Sequence, residues 1–135
     1  MDVREIPFVK LVDIQKQDNS LSLSMRIEIE NHIKTMHAGA QFTLAETQSG
    51  QFLQETFNEL EGQVVPILRD ASIKYKKPVE KELFATATCE LESIEKFRMQ
   101  FEKKGRASIL IDVMLKDSDD LLCSQASFSW FVQKI

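Results

Sequence analysis

Cysteine is scarce: Cys89 and Cys123 are the only two, too widely separated for the paired spacing of a zinc site or a disulfide framework. Both fall in strand-like stretches, where a free thiol is usually buried. No run approaches the ~18 apolar residues that span a bilayer, and residues 1–7 lack the apolar stretch of a secretory signal. The expected address is therefore the cytoplasm, with no membrane partner. Basic charge is not in excess either. A net charge of −4 argues against a general nucleic-acid binder, whose phosphate contacts need a basic surface. Repeats, low-complexity tracts and linker-like segments are also missing, so residues 1–135 are expected to form one domain.

The sequence is rich in strand-like alternation. Leu21, Leu23, Met25, Ile27 and Ile29 alternate with polar residues, which predicts a strand over residues 20–30 with one buried face. Period two returns at Leu83-Ala85-Ala87-Cys89-Leu91, at Ile109-Ile111-Val113-Leu115 and at Phe128-Trp130-Val132, and more briefly at Val9-Leu11 and Ala71-Ile73-Tyr75. Asp18-Asn19 and the run Asp117-Ser118-Asp119-Asp120 supply turn chemistry, so the first and last strand pairs are expected to be hairpins. One long helix is predicted over residues 38–60. Its first half carries so little charge that a sheet is expected to wrap around it. A second, short helix is predicted over residues 94–103, with Ser93 as N-cap and Gly105 as its stop. The order strand, strand, long buried helix, then further strands implies an α+β fold with a mainly antiparallel sheet curled around one helix.

Candidate chemistry is concentrated in residues 31–46. Asn31 supplies an amide, and His37 an imidazole beside the expected helix start. Ala38 and Gly39 provide backbone N–H groups there, and Glu46 is a lone carboxylate in an apolar stretch of the helix. Each has a plainer reading. Asn31 can bond its own backbone, His37 can cap or pack, and Glu46 can sit in a structural ion pair. His32 is expected to be exposed. Gly50 is expected to serve packing, the phenylalanines the core, and Lys74, Lys76, Lys77, Lys103, Lys104 and Arg106 ordinary solvated surface or the phosphates of a nucleotide.

The placing of Asn31, His37-Ala38-Gly39 and Glu46 at the mouth and in the body of a central helix resembles the hotdog-fold acyl-CoA thioesterases. The likeness extends to the phenylacetate-pathway and 4-hydroxybenzoyl-CoA thioesterases, and to a thioesterase-like family of unknown function with a Thr-Met-His-Ala-Gly-Ala run. It covers nearly the whole chain in element order, with its specific part in residues 31–50. It implies a hotdog fold and hydrolysis of an acyl-CoA or acyl-carrier thioester, with no cofactor. Asn31, His37 and Glu46 would be catalytic, and Ala38 and Gly39 would hold the substrate. Nine helical residues span about 13 Å, so His37 and Glu46 of one chain cannot meet at one atom. The resemblance supplies the remedy: a homodimer, or dimer of dimers, in which the helix mouth of one protomer faces the carboxylate of the other. Glu46 would act as general base or as nucleophile. His37-Ala38-Gly39 departs from the relatives' frequent His-Gly-Gly by one methyl group. The competing readings are a non-catalytic hotdog that binds acyl-CoA or serves as a structural partner, and a hydratase or dehydratase of the same fold.

Overall fold

The computed structural model describes all 135 residues. A short 3-10 turn at Val3–Glu5 leads into α1 (Pro7–Val12) and a hairpin of β1 (Gln15–Gln17) and β2 (Ser20–Leu23). A loop containing a 3-10 turn at Ile27–Ile29 then delivers the chain to α2 (Ala38–Thr56). After α2 come β3 (Val64–Tyr75), β4 (Leu83–Thr88), α3 (Leu91–Lys104), β5 (Arg106–Asp117) and β6 (Leu122–Lys134). The six strands form one antiparallel sheet in the order β1-β2-β4-β5-β6-β3. No helix is long and apolar enough to cross a membrane.

Alternation dictates which face of the sheet is dry. Ala107, Ile109, Ile111, Val113 and Leu115 of β5 are all buried while the residues between them are largely exposed. Phe128 and Val132 of β6 and Leu83 and Ala85 of β4 continue that face, and α2 lies across it with Leu44 and Ala45 fully buried. Gln41, Gln48 and Ser49 of the enclosed helix are each matched to a neighbouring group. Gln48 Oε1 accepts from the Leu21 N–H at 3.0 Å. Gln41 accepts from Ser124 Oγ at 2.7 Å and donates to the Met36 carbonyl at 3.1 Å. Ser49 Oγ donates to the Glu46 carbonyl at 2.7 Å and accepts from Trp130 Nε1 at 2.8 Å. Beyond α2, the amphipathic α3 sets Phe97 against Phe57, with ring centroids 4.3 Å apart, to close that end of the core.

Several expected elements differ. The strand expected over residues 20–30 stops at Leu23, because its partner β4 begins at Leu83 and offers nothing beyond it to pair with. The chain instead turns back, held by Arg26, whose guanidinium donates to the carbonyls of Leu11 and Val12 at the end of α1. Val9 and Leu11 lie in a helix rather than a strand, with Pro7 in its first turn. The short helix α3 begins at Leu91 with Glu90, not Ser93, as N-cap, and ends as expected at Gly105, whose φ is +70°. Strand β3 is longer than Ala71–Tyr75 suggested, since a bulge between Leu68 and Asp70 shifts the inward phase by one residue at Arg69. Both expected hairpins form, with Asp18 and Asp120 at positive φ and Asp117 Oδ1 accepting from the N–H groups of Asp119 and Leu121.

Ser49→Ala removes the acceptor of the part-buried indole N–H of Trp130, which should cost about 1 kcal/mol in urea unfolding monitored by tryptophan fluorescence. An unchanged midpoint would show that this link between α2 and β6 carries no stability.

Candidate active site

The loop before α2 is built to present the helix mouth. Asn31 Oδ1 accepts from the N–H groups of Ile33 and Thr35, both at 3.0 Å, and its Nδ2 donates to Thr35 Oγ1 at 2.7 Å. The loop so closed is stitched to its surroundings by Met36 N–H on the Val79 carbonyl and His37 N–H on the Ile29 carbonyl, both at 2.8 Å. Asn31 thus occupies the plainer of its two expected roles, holding its own backbone.

His37 is the N-cap of α2. Its Nδ1 accepts from the Gly39 N–H at 2.8 Å, which leaves the ring proton on Nε2 and the exposed imidazole edge as a donor. Gly39 suits this arrangement, since a Cβ there would come within 3.1 Å of His37 Nδ1 and the ring would have to shift by a few tenths of an ångström. The cap engages the Gly39 N–H from within the chain. The N–H of Ala38 enters no such hydrogen bond, so it is the open donor at the positive end of the helix.

Tyr75 marks the same spot from the sheet. It ends β3, and its hydroxyl donates to the Ala38 carbonyl at 3.1 Å. Burial pushes its phenol above the usual value, so at neutral pH it is a donor. Lys74, Lys76 and Lys77 are exposed around it. Ser72 stands exposed on β3 opposite Ser127, and His32 is exposed as expected.

Glu46 lies about 13 Å beyond His37 along α2. Its carboxylate is half-buried, and burial alone holds its pKa above the ordinary carboxylate range, with no cation or hydrogen-bond donor to offset it. It faces a partly open pocket of about 640 Å³ between α2, the inner face of β3 and β6, and the N-terminal segment with α1. Val9, Leu53, Phe97, Trp130 and Val132 contribute to a mainly apolar lining, beside Thr43, Thr47 and Gly50 from the helix. The structure therefore gathers Asn31, His37, Ala38 and Gly39 at one end of α2 and sets Glu46 apart from them.

The sequence reading overlooked three participants here. Tyr75 was expected only as part of the short alternating run Ala71-Ile73-Tyr75, because strand register alone could not bring it to the helix mouth. The cavity wall from residues 3–9 gave no signal, since the only element expected near it was a strand at Val9-Leu11, where α1 lies. Gly50, assigned to packing, stands against the Trp130 ring, with 3.5 and 3.8 Å from a Cβ position to the ring, and also lines the pocket. The two thiols are poor nucleophiles: burial, first, and nearby aspartates push both Cys89 and Cys123 up. No three His, Cys, Asp or Glu side chains converge as a metal would require.

Residues 7–132 match the family described as "Domain of unknown function (DUF4442)". The chain belongs to the DUF4442 family. No curated protein sequence matches it. Solved structures share its fold. A Pseudomonas aeruginosa protein of unknown function, described as a probable thioesterase, superposes with a TM-score of 0.83 at 22% identity, over 98% of this chain and 91% of that one. A Bacillus halodurans protein solved with CoA gives 0.72 at 20% identity, over 93% and 74% of the two chains. A mutant of a Staphylococcus aureus thioesterase enzyme gives 0.72 at 12% identity, over 94% and 98%. This DUF4442 chain thus has the hotdog fold, α+β with a curved antiparallel sheet around one long helix.

Because the folded-state pKa of Glu46 is raised, its contribution to stability is greatest below the ordinary carboxylate pKa of about 4.3 and is lost as pH rises through the raised value. Glu46→Gln removes that cost. The variant should melt at or above the parent temperature at neutral pH, with the difference shrinking in acid. A clear loss of Tm at neutral pH would mean that the carboxylate is a structural partner after all.

Proposed function

We propose that two copies of this chain together hydrolyse an acyl thioester, carried by CoA or an acyl-carrier protein, to a free acid and a thiol. The observation that carries this reading is Glu46, a half-buried carboxylate without a partner in the wall of an apolar cavity. Such a group is costly to keep and suited to proton transfer, because its raised pKa makes it a stronger base than an exposed carboxylate.

In this reading the thioester carbonyl rests at the mouth of α2 of one protomer. The Ala38 N–H and the helix dipole stabilise the charge that develops on its oxygen. Glu46 of the other protomer takes a proton from water as the water oxygen bonds to the carbonyl carbon. Collapse of the tetrahedral intermediate breaks the carbon–sulfur bond, and the proton passes to the departing thiolate. Nε2–H of His37 stands at the same mouth and assists that departure. Asn31 acts through the loop that aims His37, and the Gly39 N–H acts by fixing the imidazole.

The need for two chains follows from the separation of His37 and Glu46 along one helix. Support for a partner comes from β3, an edge strand of 12 residues whose outer side has no neighbouring strand and whose exposed side chains include Val65 and Ile67. An edge this long is commonly covered by another chain.

A second reading, an acyl-thioester-binding protein without turnover, is favoured by the structural employment of both Asn31 and His37. A panel of acyl-CoAs assayed for released thiol separates the two. Hydrolysis should be detected, and Glu46→Gln should lower kcat by about 10²–10⁴. Activity should rise with pH along an acid limb lying above the ordinary carboxylate range, since only the ionised base works. Binding without turnover in the parent, or undiminished turnover in the variant, would favour the non-catalytic reading.

A further inference from the structure

The mouth of α2 is fastened to the sheet at a single rung. Tyr75 of β3 stands opposite Ser124 of β6, and in an antiparallel pair such partners project to the same face. Ser124 Oγ donates to Gln41 Oε1 at 2.7 Å, and Gln41 Nε2 carries the tie on to the Met36 carbonyl at 3.1 Å. Tyr75 reaches just past the loop and donates to the Ala38 carbonyl at 3.1 Å. The two ties differ in their surroundings. Ser124 and Gln41 are buried, where losing a bond costs stability. Tyr75 is 46% exposed and belongs to neither hydrophobic cluster, so its hydroxyl serves the mouth rather than the core.

One peptide unit joins Tyr75 to His37. Its carbonyl belongs to Ala38 and its N–H to Gly39. A carbonyl oxygen has two lone pairs; the helical ladder takes one and the Tyr75 hydroxyl engages the other. The N–H donates to His37 Nδ1 at 2.8 Å. Donation therefore runs one way, from phenol to peptide to imidazole, and ends at Nε2–H. Hydrogen bonds aligned like this strengthen one another. Electron density drawn toward the Ala38 oxygen makes the Gly39 N–H a stronger donor, which favours the tautomer with a bare Nδ1 and makes Nε2–H the better donor. Burial raises the Tyr75 phenol, so it keeps the proton from which the chain starts.

We propose that Tyr75 is a positioning residue, which acts through the Ala38–Gly39 peptide to hold the His37 imidazole in the tautomer and pose that meet the departing thiolate. The use of this device rests on the proposed thioester hydrolysis. Its existence rests on the hydrogen bonds alone, so the two can fail separately.

Tyr75→Phe deletes the hydroxyl and keeps the ring. Two measurements read the result: nitrogen-15 imidazole spectra, with the exposed His32 as internal reference, and turnover of acyl-CoAs followed by released thiol. In the parent, His37 should show the Nε2–H tautomer and His32 the averaged pattern of a free imidazole. Tyr75→Phe should move the His37 ring nitrogens toward the His32 pattern while His32 stays in place. Its kcat should fall by about two- to tenfold, the weight of one hydrogen bond, with KM and Tm unchanged. In a His37→Asn background, which retains a capping side chain, Tyr75→Phe should cost no further kcat. Gly39→Ala, whose Cβ would press on His37 Nδ1 from 3.1 Å, should disturb the same nitrogens with Tyr75 intact. His37 nitrogens left unmoved by Tyr75→Phe overturn the proposal, even in a protein that hydrolyses thioesters. So does a raised KM with kcat unchanged, which would make Tyr75 a contact for the carrier. Displaced His37 nitrogens in a protein that hydrolyses nothing retain the tie and sink the hydrolase.

Discussion

A helix enclosed by a sheet can keep a polar side chain only where something receives it, and this requirement organises α2 from end to end. Gln41, Gln48 and Ser49 are each matched to a group on a neighbouring segment, and Thr43 and Thr47 donate to carbonyls one turn back. These bonds fix the rotation of the helix within the sheet. Slipping α2 by a single residue would leave several buried polar groups unpaired, each at a cost of about 1–3 kcal/mol. The same fixed rotation determines which residues face the cavity. Glu46 is the member of the helix that the pattern leaves unmatched, and it is the one turned toward the apolar space.

At the other end of α2, satisfaction works against the expected chemistry in one place and for it in another. The His37 cap takes the Gly39 N–H, which is then closed to any outside oxygen. It also locks the imidazole with its remaining N–H directed outward. The Tyr75 hydroxyl on the Ala38 carbonyl ties the helix mouth to the end of the edge strand. Any molecule seated on the Ala38 N–H therefore lies beside the sheet edge and the exposed lysines that follow it. This geometry is what the proposed function uses when it seats a thioester carbonyl at the mouth with its anionic carrier toward the lysines.

The sheet core was legible wherever alternation persisted against a full-length partner. Ile109 to Leu115 and Phe128 to Val132 show it, because each strand there is paired along its whole length and one face is wholly dry. Legibility failed where the pattern and the partner disagreed. Leu21 to Ile29 alternate without a break, yet β4 supplies partners only for Ser22 and Leu23, and no local signal in the sequence reports where a distant strand begins. Arg69 conceals the full length of β3 because a bulge breaks period two without breaking the strand. The site divides along the same line. The contiguous motif from Asn31 to Glu46 can be read as a string of residue types, whereas Tyr75, Trp130 and the cavity wall from residues 3–9 arrive through tertiary packing.

The distance between the helix mouth and Glu46 then decides what kind of molecule can use both. Within one chain they are too far apart for a single carbonyl, and α2 is too tightly keyed to the sheet to bend and close the gap. Two remedies exist in principle: a substrate long enough to touch both ends of one helix, or a second helix running the opposite way. In the proposed reaction one carbonyl must lie beside both the Ala38 N–H and a carboxylate, so a long substrate touching the two ends of one helix at different atoms does not meet the requirement. Under the proposed function, an antiparallel second copy would set a helix mouth beside each carboxylate, which is the arrangement that lets one carbonyl meet both groups.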